Sequence, residues 1–361
     1  MSRNLLRRIG VLILLLVLLA ALAGFWAWQR YQAFAGIPVH GIEAPAALLV
    51  ERGDSLPVVL AKLRALGVRG GHEAEWRLLA REMGAAGRLQ VGEYAIDPGM
   101  TPRDILAALR DGRVVRHAFA IIPGRTFREL RAALARESLL EQEIEDLDDG
   151  AVMAALGQPG QHPEGRFLPE TYHYTRGDSD LDLLRRAHAA MQEALDAAWA
   201  TRSDDSVLGS PDELLTLASI VEKESGIASE RPRVAGVFER RLRIGMKLQT
   251  DPTVIYGLGS AYDGNIRRRD LDTDTPYNTY TRGGLPPTPI AMPSAGALEA
   301  TANPIDDGAL YFVALGDGSG RHAFSRTLAE HNAAVVRYLR RYRAAREADA
   351  GTAAGTGPES P

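Results

Sequence analysis

Leu217-Ala-Ser-Ile-Val-Glu-Lys-Glu-Ser-Gly226 is an apolar helical run that ends in two carboxylates and then a helix-stopping glycine. Projected at about 100° per residue, Leu214, Leu217, Ala218 and Val221 share one face. Glu224 falls roughly 70° from the centre of that face, Glu222 roughly 90° away on the other flank, and Lys223 opposite. Glu224 therefore leans toward apolar surroundings in the last turn. Burial there disfavours ionisation and raises a carboxyl pKa. A carboxylic acid kept protonated near neutrality suits general-acid cleavage of a glycosidic bond. The competing reading of Glu-Lys-Glu is a solvated surface cluster.

The rest of the chain narrows the choice. Its 361 residues can hold two domains or one large one, and 45% hydrophobic with 24% charged residues is the composition of a folded protein. The net charge of -4, without a basic stripe carrying aromatics, argues against a nucleic-acid partner. The absence of cysteine excludes disulfides, thiolate metal sites and cysteine catalysis. None of the 8 histidines falls in a His-Glu-x-x-His zinc pattern, so no metal is expected.

Arg3, Arg7 and Arg8 precede an uncharged run from Ile9 to Trp28, about 30 Å long as a helix. The run reads as a transmembrane anchor (residues 9–28). The arginines predict a cytoplasmic N-terminus (residues 1–8), with Phe25, Trp26, Trp28 and Tyr31 as an aromatic belt at the far interface. A cleaved signal peptide, with Ala21-Leu22-Ala23 as its cleavage site, is the alternative. Either way the remainder lies outside the cytoplasm.

Residues 29–46 lack periodicity and read as a linker. Residues 47–115 read as a small α+β module. It has a strand over Val50–Leu56 ending in a Gly-Asp turn, a helix capped at Asp54 or Ser55 and closed by Gly67, a strand over Leu89–Asp97, and a helix opened by Thr101 and Pro102. A larger α+β domain follows over 116–346. It holds a strand near Ala118–Ile122, a Thr126-capped helix, acidic helical residues 138–160 and a long helix from Leu181 to Ala200. The helix ending in Glu224 is expected to be capped by Asp212. Residues 248–296 form a long loop region and hence a candidate binding surface, Leu310–Leu315 a strand, and the final helix reaches about Arg346. Residues 347–361 read as a disordered tail.

Several segments carry a family resemblance: Gly165-Arg-Phe-Leu-Pro-Glu-Thr-Tyr172, Leu217 to Glu224, Arg241 to Gly257, Pro276-Tyr-Asn-Thr-Tyr280 and Gly284-Leu-Pro-Pro287. Tyr311-Phe-Val-Ala314 follows, and then His322, Phe324, Ser325, His331 and Asn332. In this order the chain resembles the endolytic murein transglycosylases, the YceG-like or MltG family, over roughly residues 116–345. The anchor and the 47–115 module resemble the family's layout, in which that module is LysM-like. Thr288 and Ser294 stand where the family commonly has glycine, Arg240 where it often has asparagine, and Glu170 where aspartate is usual.

The resemblance implies that Glu224 is catalytic and that Glu222 is structural or a secondary carboxylate. It implies a bacterial inner-membrane protein that acts on peptidoglycan without a cofactor. Glu224 would protonate the oxygen between N-acetylmuramic acid and N-acetylglucosamine, then take the proton of the muramoyl C6 hydroxyl as it closes on C1. That gives a 1,6-anhydro end, and ring closure within one sugar has a high effective molarity. Gln249, Thr250, Asn278 and Thr279 offer neutral groups for the sugar, Tyr256, Tyr277 and Tyr280 could stack on it, and Asp251, His322 and Phe324 complete the expected groove. By analogy alone, penicillin-binding peptidoglycan synthases are expected partners. Three alternatives stand beside this reading: a hydrolytic muramidase with Asp251 or Glu222 activating water, a non-catalytic glycan-binding scaffold, and a hydrolase built on Ser219 and Lys223.

Overall fold

The computed structural model describes residues 3–355. Residues 356–361, the end of the expected disordered tail, lie outside the described residues, as do residues 1 and 2. The chain is mixed helix and strand and divides into two compact units.

The first unit runs through His117 and takes in His173–Gly177. It begins with helix α1 (Arg3–Gly36), followed by β1 (Ala46–Val50), α2 (Leu56–Ala65), α3 (Glu73–Glu82), β2 (Gly92–Ile96) and α4 (Pro102–Asp111). Strands β1 and β2 pair antiparallel, with Leu48 opposite Tyr94, and two helices lie between them in sequence. Leu48, Leu63, Leu79, Tyr94, Ile105 and Leu109 fill the core. α4 starts and stops where its sequence says. Thr101 accepts the Asp104 amide at 3.1 Å, and Gly112 leaves the helix at φ 66°. Periodicity did not reveal α3, whose Trp76 is buried.

The linker expectation needs correcting. α1 continues as a helix to Gly36, and Tyr31, Ala35 and Val39 are buried in the first unit's core. Tyr31 and Ala35 are one turn apart, so they share a face, and the Tyr31 hydroxyl donates to Glu82. Tyr31 thus belongs to the folded unit and not to an aromatic belt. Phe25, Trp26 and Trp28 are exposed, as are the large aliphatic residues from Ile9 to Leu22.

The second unit comprises Ala118–Tyr172 and the chain from Asp178 onward. Strands β3 (His117–Ala120) and β4 (Thr171–Tyr174) form a two-stranded sheet. Between them lie α5 (Phe127–Leu134) and α6 (Asp149–Ala155). Next come α7 (Asp180–Ala200), α8 (Pro211–Glu224), α9 (Arg231–Arg243), α10 (Asp251–Leu258), α11 (Arg268–Asp272) and α12 (Ala295–Ala302). Strands β5 (Tyr311–Ala314) and β6 (His322–Ser325) pair antiparallel before the last helix, α13 (Leu328–Gly355). α13 runs past Arg346, where the tail was expected to begin.

Only α6 in the 138–160 stretch is an α-helix. The buried Asp180 carboxylate accepts the amides of Glu143 and Ile144 at 3.0 and 3.4 Å, and the Asp180 amide donates to Glu141 at 3.0 Å. These tertiary bonds hold the segment in an irregular path.

α8 is the centre of the second unit. Every residue from Leu214 to Val221 is buried, where projection had assigned only one face. A helix apolar all round is surrounded by other elements, here α7, α9, α10 and α12. Its buried hydroxyls are bonded locally. Thr216 donates to Asp212 O at 2.8 Å, and Ser219 donates to Thr216 O at 2.7 Å while accepting the Ile290 amide at 3.0 Å. The cap is Ser210, not Asp212, with the Ser210 hydroxyl accepting the Glu213 amide at 3.2 Å and Pro211 in the first turn. On α9, Gly236 lets the Ile305 backbone approach closely, since a Cβ there would stand 2.0 Å from Ile305 O.

Candidate active site

Glu224 is the last residue of α8, and Ser225 leaves the helix with extended backbone. The buried helix thus delivers this carboxylate to its own end. There Glu224 is half-buried and forms part of the wall of a cavity of about 440 Å³. The Thr250 hydroxyl donates to Glu224 Oε1. Burial pushes the Glu224 carboxyl above its ordinary range, and the charge of Asp251 adds to this. The Thr250 bond, His322 and Arg241 act the other way, and burial prevails.

Glu222 is also buried, with a side chain only 6% exposed. What separates the two acids is their partners. Glu222 binds Arg231 at 2.8 Å and accepts from the Ser294 amide at 3.0 Å and its hydroxyl at 2.5 Å. Both its oxygens are engaged, so it ties the end of α8 to the starts of α9 and α12. The Ser219–Lys223 pair does not form, because Lys223 reaches Gly124 O at 3.1 Å and the Ser219 hydroxyl is bonded to Thr216 O and the Ile290 amide.

Gln249, Asp251 and Tyr280 line the cavity with Glu224. Gln249 holds φ 49°, a left-handed conformation rare for a non-glycine residue. The Tyr280 hydroxyl donates to Asp251 at 2.6 Å. Thr250 touches Glu224 from a buried position, and His322 acts on it electrostatically. Four of the expected sugar ligands have their polar groups engaged within the protein. Asn278 donates to Asp270 O, Leu271 O and Thr273 O and accepts the Tyr280 amide at 2.9 Å. Thr279 accepts from the Thr250 amide at 3.1 Å. Tyr256 and Tyr277 pack edge to face at 4.8 Å, with the Tyr277 hydroxyl 2.9 Å from Thr288. These four shape the loop that carries Gln249 and Tyr280. Phe324 lies under the Arg233 guanidinium at 4.1 Å.

The cavity also takes His331 and, not singled out as site residues, Arg241, Tyr311 and Phe312. Arg241 is buried, donates to Leu310 O at 2.8 Å and to Leu248 O, and lies 5.5 Å from the Tyr311 ring centre. Its place in the Arg241–Gly257 motif was the one available signal.

A sequence profile described as the YceG-like family matches residues 48–337. That is most of the chain and includes every residue of the cavity. The chain belongs to the YceG-like family. It is 31% identical over 308 residues to a Bacillus subtilis protein named endolytic murein transglycosylase, covering 80% of this chain and 84% of that one. A Streptococcus pneumoniae protein of the same name is 35% identical over 155 residues, which are 42% of this chain and 28% of that protein. The crystal structure of a putative YceG-like protein from Listeria monocytogenes matches at a TM-score of 0.51 and 27% identity, covering 80% of this chain and 98% of that one. Within the family frame, three of the four departures noted in the sequence have local side-chain partners. Ser294 caps α12 and binds Glu222, Thr288 bonds to Tyr277, and Arg240 pairs with Asp306 at 2.9 Å.

A second buried carboxyl sets a pH dependence. Glu164 is 3% exposed and accepts the Phe127 amide at 3.0 Å, and burial pushes it up to about 7. A folded-state pKa above the unfolded value means the native state binds the proton more tightly. Its contribution is therefore complete below the ordinary carboxyl range and is lost as pH rises through about 7. The expected result is a stability slope between about pH 5 and 8 in urea titrations that flattens in Glu164→Gln. An unchanged slope would remove Glu164 as its source.

Proposed function

We propose that this protein is a membrane-anchored lytic transglycosylase that cuts the β-1,4 bond between N-acetylmuramic acid and N-acetylglucosamine within peptidoglycan strands. The observation that carries this reading is the Glu224 carboxyl, raised by burial at the wall of a cavity whose other carboxylate, Asp251, accepts from the Tyr280 hydroxyl, while the neighbouring Glu222 is consumed by Arg231 and Ser294. Glu224 protonates the leaving oxygen and the C1–O bond breaks. Glu224, now a carboxylate, accepts the C6 hydroxyl proton as that oxygen bonds to C1, so the proton count closes without water. One carboxyl serves both halves in turn. Two relatives named endolytic murein transglycosylase support the substrate class.

The anchor reading rests on α1, whose segment Arg7–Gly36 is long and apolar enough to cross a bilayer and unburied over its apolar window. The arginines before it favour a cytoplasmic N-terminus and an extracytoplasmic catalytic unit at the bacterial inner membrane. Tethering restricts the enzyme to strands near the bilayer, where new glycan emerges, so it limits strand length. Penicillin-binding synthases are the partners this placement favours, and the LysM-like reading of the first unit fits its strand-helix-helix-strand order.

The deciding experiment is mass spectrometry of glycan strands digested by the detergent-solubilised full-length protein. Internal fragments ending in 1,6-anhydromuramic acid are expected. Reducing ends would replace this reading with a water-using muramidase, and intact strands would leave a glycan-binding scaffold.

A further inference from the structure

Glu230 was not singled out by its sequence, and it lies in the short turn that follows α8. After Glu224 the backbone turns at Ser225 and Ile227 and forms one 3-10 turn, Ala228–Glu230. Glu230 is 8% exposed. It receives three hydrogen bonds from a single residue of β6. The His322 amide lies 3.2 Å from each carboxylate oxygen, and His322 Nδ1 is 2.9 Å from Oε2. The ring is fixed from the sides as well. Phe312, which lines the Glu224 cavity, meets it edge-on at 5.5 Å, and Phe324 lies 6.3 Å away. Through Phe312 the ring adjoins the cavity that holds Glu224.

A carboxylate can only accept, so it places a proton on Nδ1. In the neutral ring Nε2 is then a bare acceptor. Nε2 makes no hydrogen bond to the described residues, and the side chain is 13% exposed. A fixed acceptor matters only to a donor that cannot turn round. Sugar hydroxyls both donate and accept, whereas an acetamido N–H only donates. We infer that Glu230 is a positioning residue that locks the His322 tautomer, and that His322 Nε2 accepts the N–H of a substrate acetamido group beside Glu224. This rests on the transglycosylase reading and adds a specificity element to it.

The first test needs no substitution. Nitrogen-15 spectra of the full-length protein in micelles, with the His322 signal assigned by its loss in His322→Asn, should show a proton on Nδ1 and a bare Nε2. A proton on Nε2 would overturn the inference. The second test is kinetic. His322→Asn keeps a side-chain donor toward Glu230 but lacks the outer nitrogen, and cleavage of acetylated glycan strands should fall about 10²-fold at unchanged melting temperature. Glu230→Gln can donate to Nδ1, so it should move the proton to Nε2 and lower cleavage at least about tenfold. Wild-type rates in His322→Asn, or in Glu230→Gln with the proton moved, would sink the idea while leaving anhydro products in place. Absence of anhydro products from the wild type would instead mark failure of the transglycosylase reading.

Discussion

Replacing Glu224 by glutamine should lower glycan cleavage by at least about 10³-fold, within the range supplied by a positioned general acid. Glutamine keeps the size of the side chain and can still accept from Thr250, so the cavity and the end of α8 keep their shape. It has no proton to give to the leaving oxygen and no basic carboxylate for the second step. The same substitution should not harm stability. Burial raises the Glu224 carboxyl, so ionisation weakens the folded state as pH rises from the ordinary carboxyl range through the raised value. The neutral amide is free of that penalty. At alkaline pH the variant should melt at or above the wild-type temperature, and wild-type cleavage should fall as the acid loses its proton. Retention of more than a tenth of wild-type activity by Glu224→Gln would remove it as the acid.

The second large effect lies two residues away and has the opposite character. Glu222→Ala should destabilise the protein by about 3–5 kcal/mol, because it leaves a largely buried Arg231 without its anion. The Ser294 amide and hydroxyl lose their acceptor at the same time. Urea titration should show the midpoint falling, with activity per folded molecule reduced far less than in Glu224→Gln. A variant as stable as the wild type would mean that Arg231 finds water or another partner. A stable but inactive one would return Glu222 to the chemistry.

This contrast marks how far residue order alone could carry the site. Helical projection distinguished the two acids by their distance from an apolar face, yet Glu222, placed farther from it, has the side chain only 6% exposed. Arg231 and Ser294 separate them, and these come from two other helices. The polar run around Asn278 illustrates the same limit. Amide and hydroxyl side chains suit a sugar, but they equally suit a loop whose backbone carbonyls need donors, and Asn278 serves three of those. Arg241 and Glu230 went unnoticed because a charged residue on a helical stretch looks solvated until the partners that bury it are known.

Sequence by itself determined what depends on near neighbours: the caps at Thr101 and Thr126, the glycine stop at Gly112, the apolar run that becomes α8, and the glutamate at its end. It also determined the family, since the motifs are contiguous. Tertiary structure alone decided which polar groups remain free for chemistry. A carboxylate is available only if no other segment has claimed it, and the segments that could do so lie anywhere in the chain. The supposed linker obeyed the same rule. Tyr31 and Ala35 carry too little local pattern to announce a core, and they are buried because α3 and α4 supply the other half of the contact.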